Sequence, residues 1–229
     1  MFLSDPARPC RQFLQMQPWF GSLEPALQER LLARATTLSG GKGEVLLHAG
    51  EPVNGWYAVL SGLVKLQSES AEGRRQAFLG IPGGEWFGEG SVLKDEARRY
   101  EVVALRETTL LCLPRAEFEA LRTGSLAFCQ ALIEQFNLRL GQAMAIIETM
   151  RLRTPEQRVA MYLGPQLWRG PRRVGLSQEE LGILAGLSRQ TVNGVLKEFE
   201  RRGLVSLEFG RVEIRDEAGL GRVVASAAA

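Results

Sequence analysis

A glycine corner between two runs of helical period constrains the fold of this chain more than any other sequence feature. The corner is Gly186, and a small residue, Gly182, lies four positions before it. Val192 and Val195 lie six and nine positions after it, where a second helix would pack on the first. A small residue at a helix crossing, followed by apolar residues at these offsets, is typical of a helix-turn-helix.

Polar residues predict where the two helices begin. Ser177 and Glu180 have the Ser-x-x-Glu spacing of a capping box, and Ser188 is placed to cap the second helix. The start of that second helix is the part that a helix-turn-helix presents to the major groove of DNA. Arginine can bond guanine, glutamine and asparagine can pair with adenine, and serine and threonine hydroxyls can bond phosphate. The candidate DNA-binding residues are Ser177, Ser188, Arg189, Gln190, Thr191, Asn193 and Lys197.

A short hairpin is predicted after the second helix. The β-prone segments 204–208 and 211–215 flank the turn Phe209-Gly210. A pair of amphipathic helices would explain the helical period alone, but not the corner glycine, the cap and the hairpin together. These features predict a winged helix-turn-helix that binds double-stranded DNA.

The charge distribution agrees with a DNA-binding C-terminal part of the chain but does not establish it. Residues 1–150 hold 17 acidic and 15 basic residues, whereas residues 151–229 hold 13 basic and 9 acidic residues. The basic excess therefore lies in the part with the glycine corner. An excess of this size can also arise by chance, so it only supports the motif.

The N-terminal half is predicted to be a rolled or closed antiparallel sheet. A run of helical period covers residues 20–35, and Gly40-Gly41-Lys42-Gly43 ends it. Short β-prone runs separated by turn residues follow, at 44–48, 55–60, 63–67, 76–81 and 109–113. Short strands with frequent turns are typical of such a sheet.

A long helix is predicted from Leu126 to Met150, and it carries a heptad seam. The seam consists of Cys129, Ile133, Phe136, Leu140, Ala143, Ile147 and Met150. Such a seam favours a partner helix, so Ile133, Phe136, Leu140, Ala143 and Ile147 are the candidate dimerisation residues of a homodimer. The alternative, packing on the chain's own sheet, fits the neighbouring Leu132 and Met144.

Thr154-Pro155 interrupts the helical pattern, because proline favours a helix start. The expected fold class is α+β: an N-terminal antiparallel β-roll, a long dimerisation helix and a C-terminal winged helix-turn-helix. The expected domain boundaries are 1–125, 126–152 and 153–229.

Composition argues against several functional classes. Cys10, Cys112 and Cys129 are odd in number and far apart, which favours free thiols over a disulfide framework, an iron–sulfur cluster or a zinc site. His48 is the only histidine, so a multi-histidine metal centre is excluded and neither a haem nor an enzyme is expected. Residues 1–20 have no continuous apolar core, and no run of about 18 apolar residues occurs. We therefore expect a cytoplasmic protein without a membrane segment.

The chain resembles the cyclic-AMP receptor and fumarate–nitrate regulator (Crp/Fnr) family of bacterial transcription factors over nearly its whole length. The resemblance rests on Gly43 to Lys65, Phe87 to Leu93, Arg98 to Ala104, the heptad helix, and Ser188 to Asn193. It implies an effector-binding β-roll, a dimer helix and a recognition helix. It also implies palindromic double-stranded DNA as a partner, and RNA polymerase as another if the protein is an activator.

In nucleotide-binding relatives, a Gly-Glu pair followed about ten residues later by Arg holds the phosphate and ribose, and Gly88, Glu89 and Arg99 match that pattern. The resemblance gives as candidate effector-binding residues Gly88, Glu89, Gly90, Ser91, Arg99 and Tyr100. Tyr100 and Glu101 replace small residues of the family's pattern, and Ala143-Met144 replaces its polar pair that meets adenine. Cyclic AMP is therefore possible but disfavoured, and the effector is left unidentified.

The sequence thus predicts an effector-responsive, homodimeric, sequence-specific DNA-binding transcription regulator. The alternative is a small-molecule-binding module of the cyclic-nucleotide type that acts through a protein partner and has a degenerate DNA domain.

Overall fold

The computed structural model describes residues 7–69, 73, 75–149, 154–165, 167, 173–208 and 211–226. The chain forms two compact units, residues 1–137 and 138–229, and their boundary falls inside one long helix. The predicted boundaries at 125 and 152 stay a prediction. In the described part of the chain, no helix is both long and apolar enough to cross a membrane.

The first unit begins with three helices. They are α1 (Ala7–Gln15), α2 (Pro18–Gly21) and α3 (Pro25–Arg34). The helical run predicted for residues 20–35 is therefore split, and α3 begins where Pro25 occupies its first turn. Leu23 lies in the link before α3 and is buried. Its place in the helical pattern therefore reflects burial and not helix formation.

Two antiparallel four-stranded sheets follow, as the pattern of short runs and turns predicts. The strands are β1 (Thr36–Gly40), β2 (Val45–Leu47), β3 (Gly55–Ser61), β4 (Leu63–Glu69), β5 (Arg75–Pro82), β6 (Trp86–Phe87), β7 (Glu101–Ala104) and β8 (Thr108–Pro114). One sheet has the order β1-β8-β3-β6 and the other β2-β7-β4-β5. The short helix α4 (Glu89–Lys94) lies between β6 and β7.

Aromatic side chains fill the core of this unit. The indole rings of Trp56 on β3 and Trp86 on β6 are stacked, with centroids 4.0 Å apart. Phe128 meets the Trp56 ring edge-on, with centroids 5.6 Å apart. All three side chains are buried. Because aromatic rings bury large apolar areas, this cluster fixes the sheet against the helices that follow it.

Those helices are α5 (Arg115–Gly124) and α6 (Leu126–Thr149), and the second matches the predicted long helix up to Met150, which lies outside the described residues. Exposed leucine and isoleucine side chains recur every seven residues along α6, and we call this set the apolar stripe. It consists of Leu126, Ile133, Leu140 and Ile147, which are 76%, 67%, 62% and 56% exposed. Ala143 is exposed, and Cys129 and Phe136 are half-buried. Leu132 is buried within its own chain, which agrees with the alternative that this residue packs on the chain's own sheet. Met144 is 61% exposed, which does not agree with that alternative.

The second unit contains helices packed beside a small sheet. Its elements are α7 (Pro155–Leu163), β9 (Arg173–Val174), α8 (Gln178–Ala185), α9 (Arg189–Arg201), β10 (Val205–Glu208), β11 (Arg211–Ile214) and α10 (Glu217–Ala225). The antiparallel sheet has the order β10-β11-β9. The paired strands β10 and β11 confirm the predicted hairpin, and its turn, Phe209-Gly210, lies outside the described residues.

Candidate nucleic-acid interface and ligand corner

The corner between α8 and α9 has the geometry that its glycines predict. Gly186 ends α8 with a left-handed φ of 66°, a conformation that side chains with a β-carbon rarely adopt. At Gly182, an added β-carbon would lie 2.7 Å from the backbone oxygen of Leu187. The backbone of the turn therefore lies too close to α8 for any larger residue at this position.

Both predicted helix caps are confirmed. The hydroxyl of Ser177 accepts a hydrogen bond from the Glu180 amide, and the Glu180 carboxylate accepts one from the Ser177 amide at 2.7 Å. Ser188 caps α9 by accepting from the amide of Thr191 at 3.0 Å. Its hydroxyl also lies 2.8 Å from the Thr191 hydroxyl. These caps fix the start of each helix, which is the part that carries the candidate DNA-binding residues.

The face of α9 that carries Arg189, Gln190, Asn193 and Lys197, which we call the recognition face, is separate from the face that packs in the core. Val192 and Val195 are buried, as predicted, and hold α9 in the second unit. Arg189, Gln190 and Lys197 are exposed. Within the described residues, none of these three side chains has a hydrogen-bond or ion-pair partner, whereas Arg201 at the other end of the helix is paired with Glu198 at 2.7 Å. The donors of Arg189, Gln190 and Lys197 on α9 are therefore available to a ligand.

Asn193 differs from its neighbours on this face because it is half-buried and already bonded. The side-chain amide nitrogen of Gln178 donates to its Oδ1 atom at 3.3 Å. Gln178 is the first residue of α8, directly after the Ser177 cap. The structure thus brings one residue of α8 to the recognition face that the sequence did not single out.

A second cluster in the first unit, which we call the ligand corner, consists of Tyr57, Gly88 and Arg98. Gly88 precedes α4 with a left-handed φ of 86°, and a β-carbon there would lie 3.8 Å from the Tyr57 ring. The guanidinium carbon of Arg98 lies 5.0 Å from the centroid of the same ring. One aromatic ring therefore contacts both the glycine turn and the arginine.

Arg98 is 3% exposed, and its Nε and Nη1 atoms have no hydrogen-bond partner among the residues that the structure describes. Burying a cation without acceptors costs free energy, so these two nitrogens form a site for an anion. Burial, above all, raises the pKa of the Tyr57 hydroxyl to about 12, and the nearby Cys112 thiol adds to the rise. The Tyr57 side chain thus remains a neutral phenol beside the guanidinium.

The other predicted effector-binding residues differ in burial. Glu89 is buried, and Gly90 and Ser91 on α4 are half-buried. Tyr100 is half-buried with its ring edge-on to Phe78, at a centroid distance of 5.8 Å. Arg99 is 71% exposed and pairs with Glu96 at 2.8 Å, so its guanidinium lies at the solvent-exposed surface.

Glu101 is one of the residues that replace small residues of the family's pattern. In the structure its carboxylate accepts a hydrogen bond from the Gln67 side chain at 2.7 Å. The three cysteines are free, as expected: Cys10 is buried, and Cys112 and Cys129 are half-buried.

Comparison with known proteins identifies both parts of the chain. Residues 39–124 match the cyclic nucleotide-binding domain, and residues 157–223 match the Crp-like helix-turn-helix domain. A cyclic AMP receptor protein of Thermus thermophilus is 30% identical over 207 residues, which cover 90% of this chain and 96% of that protein. The chain belongs to the Crp/Fnr family. Its two matched domains are those of a DNA-binding transcription regulator.

Other known proteins resemble the chain at the level of sequence or fold. The HTH-type transcriptional regulator Cmr of Mycobacterium tuberculosis is 29% identical over 87% of this chain and 82% of its own length. The solved structure of FixK2 from Bradyrhizobium japonicum has a TM-score of 0.69 at 23% identity, covering 85% of this chain and 99% of that one. The crystal structure of a Crp-family regulator from Thermus thermophilus has a TM-score of 0.55 at 26% identity, covering 82% and 97%.

The Crp/Fnr spacing pattern could not distinguish Arg99, which the sequence analysis selected, from the neighbouring Arg98. Arg98 lies ten residues after Gly88, and Arg99 lies ten residues after Glu89, so a spacing of about ten fits either arginine. In the structure Arg98 is buried and Arg99 is exposed, which distinguishes the two. Gln178 was missed for a different reason: it contacts Asn193 across fifteen residues, and no local pattern reports such a contact.

Proposed function

We propose that this Crp/Fnr protein acts as a homodimer that binds a palindromic DNA operator in response to a small-molecule effector. The observation that carries the proposal is the exposed face of α9 that begins at its start, where Arg189, Gln190 and, further along the helix, Lys197 are exposed and have no partner among the described residues. In a helix-turn-helix, this part of the second helix enters the major groove. Their free donors can bond guanine and phosphate oxygens there.

The apolar stripe of α6 supports a dimer. Four exposed side chains at heptad spacing on one helix are costly in water, and a second copy of α6 would cover them. We assign Ile133, Phe136, Leu140, Ala143 and Ile147 to this contact. A two-fold dimer would present two copies of α9 to two half-sites about one helical turn of DNA apart.

The ligand corner supports an anionic effector held by Arg98. A phosphate or carboxylate oxygen could accept hydrogen bonds from the Nε and Nη1 atoms, which have no partner in the described part of the chain. Gly88, Glu89, Gly90 and Ser91 would line the same corner. The family's positions for contacting adenine hold Ala143 and Met144, which offer no hydrogen-bonding group, so we propose an effector other than cyclic AMP.

We place the protein in the cytoplasm, where its operator would be, and assign it no catalytic step. If it activates transcription, RNA polymerase is a further partner. The relatives compared above are transcription regulators, which supports this assignment.

Selection of genomic DNA fragments by the purified full-length protein tests the proposal. We expect recovery of a two-fold palindrome with half-sites separated by about 10 base pairs. A matched protein with Arg189→Ala and Lys197→Ala should recover far fewer fragments, since it lacks two donors of the recognition face. Recovery of no fragment, or of fragments without a common palindrome, would contradict the proposal and favour a module that acts through a protein partner.

A further inference from the structure

We propose that Gln178 sets the base preference of the recognition helix by holding the side-chain amide of Asn193 in one orientation. The inference rests on the proposed function, because it requires α9 to lie in the major groove. It adds a specificity-determining residue that belongs to α8 and acts through Asn193.

The contact between the two amides crosses the helix-turn-helix. The Nε2 atom of Gln178 donates to the Oδ1 atom of Asn193 at 3.3 Å, and both side chains are half-buried. The backbone of Gln178 is fixed by the capping box of Ser177 and Glu180 directly around it. Asn193 is fixed by its place on α9 between the buried Val192 and the exposed Gly194. Both ends of the hydrogen bond therefore start from anchored positions.

The hydrogen bond decides which half of the Asn193 amide is left for DNA. An asparagine side chain offers one acceptor oxygen and two N–H donors. Here the oxygen is turned towards α8 by Gln178, so the Nδ2 donors are the groups left to point away from α8. An amide in this orientation presents donors to the groove and withholds its acceptor.

Base recognition depends on that orientation. Bidentate recognition of adenine requires the amide nitrogen to donate to N7 and the amide oxygen to accept from the N6 amino group. An amide with its oxygen held elsewhere cannot complete that pair. It matches bases whose major-groove acceptors are not next to an amino donor, which are guanine through O6 and N7 and thymine through O4, whereas the N7 acceptor of adenine lies beside its N6 amino group. We therefore infer that Asn193 reads guanine or thymine and discriminates against adenine.

Two substitutions of Gln178 should change this preference in different ways. Gln178→Ala releases the Asn193 oxygen, so the bidentate pair with adenine becomes possible. Gln178→Glu places an acceptor in the same position, which would draw the Asn193 nitrogen towards α8 and turn the oxygen outwards. That orientation matches the amino groups of adenine and cytosine.

The test is selection of operators from a randomised DNA library by the full-length protein, followed by affinity measurements on single-base variants. The position that Asn193 reads is defined as the one that loses its preference in Asn193→Ala. At that position we expect wild type to favour guanine or thymine, and Gln178→Ala to shift the ratio towards adenine by about fivefold or more, the effect of one hydrogen bond. Gln178→Glu should shift it towards adenine or cytosine. The introduced carboxylate of Gln178→Glu would repel the DNA phosphates and lower the affinity for every sequence equally. Because the test compares ratios of affinity between bases, this uniform loss does not affect the result.

A double-mutant cycle separates this role from a structural one. Adding Gln178→Ala to Asn193→Ala should leave the base ratios unchanged, because the group through which Gln178 acts is gone. Gln190→Ala serves as the matched control and should alter a different position of the operator.

An unchanged order of bases in Gln178→Ala, or the same shift in the Asn193→Ala background, would overturn the inference. A wild-type protein that selects no operator would instead contradict the proposed function. The circular dichroism and melting temperature of each variant are measured alongside, and Gln178→Glu still tests the inference if Gln178→Ala fails to fold.

Discussion

The side-chain amide nitrogen of Gln135 on α6 donates a buried hydrogen bond of 2.8 Å to the backbone oxygen of Trp86 on β6. Trp86 lies two residues before Gly88, so this bond ties α6 to the strand that leads into the ligand corner. Gln135→Leu leaves a buried carbonyl without its partner and should lower the free energy of unfolding by about 1–3 kcal/mol. Urea denaturation measures this change in the free energy of unfolding. Gln130→Leu, at an exposed position of the same helix, is the control and should change stability by less than about 0.5 kcal/mol.

Arg98, and not Arg99, should control anion binding. Inorganic phosphate should raise the melting temperature of wild type and of Arg99→Gln, because a bound anion would satisfy the buried guanidinium. Arg98→Gln should lose this response. Without phosphate, Arg98→Gln should be as stable as wild type or more stable, since it removes a buried cation that has two nitrogens without a partner among the described residues.

Cyclic AMP and cyclic GMP should show no low-micromolar binding to wild type in calorimetry. The positions that would contact the base carry Ala143 and Met144, and each lost hydrogen bond to a polar ligand costs about 1–3 kcal/mol. Binding in the low-micromolar range that disappears in Arg98→Gln and raises operator affinity would contradict this expectation.

The apolar stripe should control assembly. Leu140→Glu would bury a charge between two copies of α6 and should convert dimers to monomers, with weak operator binding. Glu134→Lys changes the charge of an exposed α6 residue outside the stripe and should leave assembly unchanged. Sedimentation at micromolar concentration distinguishes the two species. A Leu140→Glu protein that still sediments as a dimer would mean that α6 does not form the interface.

Stability should fall at high pH because of Tyr57. In the folded protein its pKa is raised from 10.0 to about 12, so between these values the folded state holds a proton that the unfolded chain has lost. The free energy of unfolding therefore keeps the full Tyr57 contribution below pH 10 and loses about 2 kcal/mol as pH rises towards 12. Tyr57→Phe should have a shallower slope over this window in urea denaturation. Equal slopes would show that the Tyr57 hydroxyl titrates normally.

Two cations of α9 should affect operator binding differently. Arg189→Ala should cost about 1–3 kcal/mol and relax one base position, because arginine reads guanine with two hydrogen bonds. Lys197→Ala should weaken binding to all sequences nearly equally and lower the slope of affinity against salt concentration, as expected for a phosphate contact. Binding measured at several salt concentrations on operator and mutant DNA separates these effects. An Arg189→Ala protein with unaltered base preference would refute the docking of α9.

The sequence predicted features whose cause is local. Gly186, the Ser177 capping box and the Ser188 cap act over a few residues, and the structure confirms each of them. The short strands of the first unit were also predictable, because turn residues separate them.

Features that depend on long-range contacts were not predictable. Helix α10 contains Gly219 and Gly221, which disfavour a helix, and it is stabilised by burial of Leu220 and Val223. Its end is held by a hydrogen bond of 2.7 Å from the Gln157 side chain to the Ser226 oxygen. The adjacent residues Arg98 and Arg99 differ in burial, and a rule based on sequence spacing cannot register that difference.

The apolar stripe also has a consequence for inheritance. Under the proposed pairing, operator occupancy at low expression rises with the square of the number of chains, so gene copy number would matter more than for a monomeric regulator. A chain with an intact stripe but a defective α9 would pair with normal chains and leave them with one working recognition helix. Alleles that damage α9 should therefore be dominant over wild type, whereas alleles that damage the stripe should be recessive.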